Sequence, residues 1–157
     1  MKNPLRLFCI LSLLFSASFS AVAKDEPIKT SVVQAQLFEL YEHASASYVG
    51  CSNSEYSFTV KPDGTTSGIQ SSNDYNRNVV AVPVGDLALI HTHPSMDLPA
   101  PSKGDVAVAV RLGVPNYVLS KFALYVAEPD GTIRKVADVK IEHGQLELGY
   151  TRKTYSR

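Results

Sequence analysis

From Glu26 to about Ala46 the apolar residues Ile28, Val32, Val33, Leu37, Leu40 and Tyr41 recur at the spacing of one helical face, which predicts an amphipathic N-terminal helix. Beyond it the period changes to two. Tyr56, Phe58 and Val60 alternate with Glu55, Ser57 and Thr59 before a turn at Pro62-Asp63-Gly64, so a strand entering a hairpin is expected. Two further strands are predicted at NVVAVPV (78–84) and DLALIHTH (86–93), turning at Gly85-Asp86, and the second is apolar enough to be central. After a proline-rich loop, SKGDVAVAVRLGV (102–114) predicts a helix with serine at its cap and aspartate three residues on, stopped by Gly113 and Pro115. Strands follow at NYVLS (116–120), on either side of Pro129-Asp130-Gly131 within residues 122–140, and near LELGYT (146–151). The order helix, strands, helix, strands predicts an α+β fold with a mixed, largely antiparallel sheet.

The chain has 157 residues, enough for one domain with a substantial core. Its first segment carries Lys2 and Arg6, an apolar run from Leu7 to about Phe19, and then Ala21-Val22-Ala23. That pattern is expected of a secretory signal peptide over residues 1–23, cleaved near Ala23, leaving a single domain from 24 to 157 in the periplasm or outside the cell with no stable membrane anchor. Fifteen basic residues balance fifteen acidic ones, which argues against a nucleic-acid partner or an anionic membrane surface. Removal of the signal segment leaves Cys51 as the only cysteine, so no internal disulfide can form. Its thiol is either a nucleophile or a small buried hydrophobe.

The chemistry concentrates in LALIHTHPSMDLPAPSKGD, residues 87–105. Residues two apart on a strand share a face, so His91 and His93 present their imidazoles together at the strand end. If the loop returns Asp105 from the first turn of the next helix, two nitrogens and one oxygen form a set that zinc accepts, with a fourth position for water. One Zn2+ per chain is the expected cofactor. A carboxylate must then handle the water's proton, and Glu55, at the opening of its strand and on the face opposite Tyr56 and Phe58, is the chosen base. Ser102, one turn before Asp105, is the candidate donor to an oxyanion. Each residue also has a plainer role: Ser102 and Asp105 fit a capping box, the histidines fit an exposed loop, and Glu55 fits an edge-strand surface. His43 and His143 have no arranged partners and are assigned to the surface.

The segment HTHPSMDLPAPSKGD resembles the signature of the JAB/MPN metalloprotease superfamily, the JAMM motif, and is especially similar to its bacterial RadC-like group. The resemblance implies a zinc-dependent peptidase or isopeptidase, with His91, His93 and Asp105 as metal ligands, Glu55 as general base and Ser102 as oxyanion partner. Eight residues separate His93 from Ser102, one more than the commonest family spacing, a difference that a loop holding Pro94, Pro99 and Pro101 can absorb. Export points to a peptide, protein or cell-wall peptide substrate. Two other readings remain: a catalytically silent JAB-like binding or inhibitory module, and an NlpC/P60-like cysteine peptidase with Cys51 as nucleophile and His91 as base. The sequence does not give the oligomeric state.

Overall fold

The computed structural model describes residues 26–49, 54–71 and 80–150. A 3-10 turn, Glu26–Lys29, leads into helix α1, Ser31–Val49. The predicted single helix is therefore interrupted at Thr30, whose Oγ1 accepts the Val33 N–H at 3.3 Å and satisfies one of the donors a helix start leaves open. Val33, Leu37, Leu40 and Ala44 form the buried stripe of α1, whereas Val32, assigned to that face from spacing, is half exposed.

The strands are β1 (Tyr56–Val60), β2 (Gln70–Ser71), β3 (Ala88–Thr92), β4 (Asn116–Leu119), β5 (Ala123–Ala127), β6 (Ile133–Glu142) and β7 (Gln145–Tyr150). They form one sheet in the order β2-β1-β3-β4-β5-β6-β7. Only β3 and β4 run parallel; every other neighbouring pair is antiparallel. Helix α2, Lys103–Leu112, makes the crossover that a parallel pair requires. The result is an α+β architecture with a seven-stranded mixed sheet and two α-helices.

Alternation along the strands divides the sheet into two faces. Phe58, Val60, Ile90, Tyr117, Leu119 and Leu124 join Val33, Leu37 and Leu40 of α1 in the main core. The intervening residues Ser57, Thr59, Leu89, His91 and Asn116 belong to the opposite face, as a period of two demands. All five residues of β3 are buried, which agrees with its expected central place.

One predicted strand does not form among the described residues. The described part of NVVAVPV, residues 80–84, runs as an irregular segment outside the sheet. Pro83 offers no N–H to a ladder and Val84 is fully exposed, so neither backbone pairing nor burial favours a strand there. The short β2 pairs antiparallel with β1 and is the return arm of the hairpin expected at Pro62-Asp63-Gly64. Among the described residues no helix is long and apolar enough to cross a membrane. The expected signal segment and Cys51 lie outside the described residues, as does Thr151 of the last expected strand.

Candidate metal centre

Strand β3 carries His91 and stops at Thr92, so His93 emerges just beyond the ladder, where Pro94 prevents further donation. The following loop folds back because Met96 is buried and its carbonyl accepts the Lys121 N–H at 3.1 Å, while the Lys121 ammonium pairs with Asp97 at 3.1 Å. Helix α2 then begins at a complete capping box. Ser102 Oγ accepts the Asp105 N–H at 3.2 Å, and Asp105 Oδ2 accepts the Ser102 N–H at 2.6 Å. The cap therefore fixes the Asp105 carboxylate as well as starting the helix.

That carboxylate sits between the two imidazoles. His91 Nε2 lies 3.1 Å from Oδ1 and His93 Nε2 lies 3.1 Å from Oδ2. The two rings meet edge to face with centroids 5.3 Å apart. One ligand atom from each of His91, His93 and Asp105 falls within 4.8 Å of the others, close enough to bind a metal ion. Two ligands about 2.0–2.1 Å from a tetrahedral cation stand about 3.3 Å apart, so the observed nitrogen–oxygen separations need little adjustment.

Each imidazole also has a partner on its other nitrogen. His91 Nδ1 faces Asn116 Oδ1 at 3.0 Å, and His93 Nδ1 faces the Leu98 carbonyl at 3.3 Å. The Asn116 amide is oriented by its Nδ2, which donates to the Asp105 carbonyl at 3.2 Å, so oxygen is the atom turned to His91. Both rings thus have acceptors at both nitrogens. A neutral imidazole carries one N–H and can satisfy only one of them. Without an added cation, both rings must be protonated or acceptors must face bare nitrogens; with a cation between Nε2 and the carboxylate, each Nδ1 keeps its proton and its acceptor. The donor set fits a divalent metal for this reason.

The surrounding charge is consistent with that arrangement. Burial works to raise the Asp105 carboxyl, but hydrogen bonds from His91 and His93, the charge on His91 and the Ser102 contact hold it far below the usual carboxylate range. Burial alone would lower His93, yet the hydrogen bond and charge of Asp105, with the Leu98 carbonyl and Glu55, carry it above the ordinary histidine value. Glu55 is raised, chiefly by burial, with His91 and His93 pulling it back and Asp105 adding to the rise. A cavity of about 300 Å³ opens beside the cluster, and Glu55, His91, Asp105 and Asn116 share its wall.

Of the residues picked from sequence, His91, His93 and Asp105 converge, and Glu55 faces the same cavity. Ser102 is exposed at the helix cap with its Oγ accepting from Asp105. Asn116 was missed. Its signal was present, since an asparagine opening an apolar strand is unusual and a buried one needs partners. His43, assigned to the surface, is about half exposed but stacks on Tyr56 with centroids 5.6 Å apart. No protein family, curated protein or solved structure matches the chain.

Proposed function

We propose that this protein is an exported zinc metallopeptidase of the JAB/MPN kind, hydrolysing a peptide or isopeptide bond. The observation that carries the reading is the cluster itself: two imidazoles and a carboxylate with ligand atoms within 4.8 Å, each imidazole backed by an acceptor on its remote nitrogen. Two nitrogens and one oxygen with room for water are the donor set of a catalytic zinc rather than a closed structural one. The motif from His91 to Asp105 and the amino-terminal segment add the family and the compartment to the proposal.

His91, His93 and Asp105 hold the metal, which when bound supplies the Lewis acidity that makes water a nucleophile near neutral pH. Glu55 takes a proton from the attacking water and returns it to the leaving nitrogen. Its raised pKa suits that two-way traffic, because a carboxylate at its ordinary value is a weaker base at neutral pH. The Ser102 hydroxyl, whose oxygen already accepts from Asp105, retains a proton to donate to the developing oxyanion. Asn116 and the Leu98 carbonyl keep both imidazoles in the tautomer that turns a lone pair toward the metal.

The test compares zinc-loaded wild type with Glu55→Gln on a library of peptides and cell-wall peptides. Wild type should cut and lose that activity to a chelator, while Glu55→Gln should retain its metal and lose turnover. Turnover that persists in Glu55→Gln assigns the base elsewhere. Full metal occupancy with no substrate cut supports the silent binding module, and chelator-insensitive activity lost in Cys51→Ser supports the cysteine peptidase.

A further inference from the structure

The cavity beside the metal centre carries more information than the cluster uses. Besides the polar residues, its wall includes Val80, Val82, Leu89, Val108 and Leu112, with Arg111 among them. Those valines and leucines come from three separate places: the irregular segment before β3, β3 itself and α2. Arg111 is exposed and forms no ion pair among the described residues. Among the described residues it is also the one permanent cation on this wall.

We propose that this cavity binds the last residue of a peptide chain, with Arg111 receiving its free α-carboxylate and the apolar wall receiving its side chain. The inference rests on the hydrolase reading and narrows it: the enzyme acts at a C-terminus, releasing an apolar residue. A planar guanidinium is the side chain best matched to a carboxylate, since two parallel N–H groups meet its two oxygens. Asp105 and Arg111 are six positions apart on α2, which is about 9 Å along the helix axis. Both residues nevertheless line the same cavity, so one bound residue can lie against both. A volume of about 300 Å³ is at the small end of ligand pockets, suited to one residue and its carboxylate rather than to a long segment.

The reaction is a balanced hydrolysis. One water is consumed, the acyl carbon gains its oxygen, the C–N bond breaks, and the nitrogen of the released amino acid takes the proton. Glu55 and Asp105 are acidic groups on the same wall, which favours Arg111 as the partner of a carboxylate. That polarity sets the direction in which a peptide lies.

The test uses N-acetyl-Ala-Ala-Leu as the free acid and as the C-terminal amide. Calorimetric titrations into Glu55→Gln protein, zinc-loaded and metal-free, should show the acid binding at least tenfold tighter than the amide. Adding Arg111→Gln should reduce that ratio to about one, while Arg111→Lys should keep part of it. In zinc-loaded wild type the acid should also be cleaved with a KM at least tenfold below that of the amide. An arginine that serves only the C-terminal end of the helix dipole would alter melting and weaken both ligands equally. Equal binding of acid and amide, or a ratio that survives Arg111→Gln, overturns the carboxylate site and leaves the metal reading intact. A preserved acid preference without any cleavage by zinc-loaded wild type keeps the site and overturns the hydrolase reading.

Discussion

Replacing Asn116 with alanine asks whether the imidazoles are held in readiness for a cation. Asn116 is 1% exposed; its Oδ1 faces His91 Nδ1 at 3.0 Å and its Nδ2 donates to the Asp105 carbonyl at 3.2 Å. In the variant His91 loses the acceptor that keeps its proton on Nδ1, so the tautomer with the proton on Nε2, facing Asp105, becomes competitive. Partners of this kind contribute about 10–100-fold to metal affinity, or about 1.4–2.7 kcal/mol. The metal-free fold loses two buried hydrogen bonds worth about 1 kcal/mol each. At about 4 °C per kcal/mol for a domain of this size, its melting midpoint should fall by about 8 °C. Competition against a chromophoric zinc chelator measures the first effect, and thermal melts of metal-free protein measure the second. Asn116→Asp separates the two contacts, since it keeps an acceptor for His91 but loses the donor to Asp105; it should retain more zinc affinity than alanine while still melting below wild type. Zinc affinity within twofold of wild type in Asn116→Ala would refute the reasoning.

Other substitutions probe the neighbouring contacts. Ser102→Ala removes the cap acceptor and should cost about 1 kcal/mol in chemical denaturation, yet zinc content should stay near one because the Ser102 backbone N–H still holds Asp105. If the hydroxyl also serves the oxyanion, kcat should drop a further ~100-fold or more. The Glu55 pKa is raised, so folding favours its protonated form and its ionised form at neutral pH weighs against the fold. Glu55→Gln should therefore melt above wild type in the metal-free protein at pH 7, an advantage that shrinks as pH falls through the raised folded pKa and is gone once pH is below the ordinary carboxylate value. His93 is raised as well, and a raised histidine contributes stability that is complete below its unfolded pKa and lost as pH rises through its folded one. Metal-free protein should lose stability as pH climbs through and above the ordinary histidine range, and zinc-saturated protein should not, as paired melts will show. Thr59 is fully buried, and its Oγ1 has no partner among the described residues, so Thr59→Val should raise stability by about 1 kcal/mol in the same denaturation assay.

What could be read from sequence was what depends on local periodicity and capping. Leu37 and Leu40 announced α1, the alternation around Phe58 announced β1, and Ser102 with Asp105 announced the start of α2, because each pattern is set by a few adjacent residues. The His91, His93 and Asp105 cluster was legible for the same reason: a strand places His91 and His93 on one side, and a capping box aims Asp105. The failures involve long-range information. The valines of residues 80–84 alternate well enough for a strand, but only the tertiary structure shows that they join no ladder among the described residues, Val80 and Val82 lining the cavity and Val84 facing solvent. Asn116 acts through a contact between β4 and β3 across the parallel pair, and Val32 is exposed because the core reaches only part of the α1 surface.

The central claim is that His91, His93 and Asp105 bind one catalytic zinc ion. Elemental analysis of untagged protein, exchanged into zinc and freed of excess, should give close to one zinc per chain for wild type and a small fraction of that for both His91→Ala and Asp105→Ala. Wild-type protein that retains no zinc, or variants that retain as much as wild type, would contradict it.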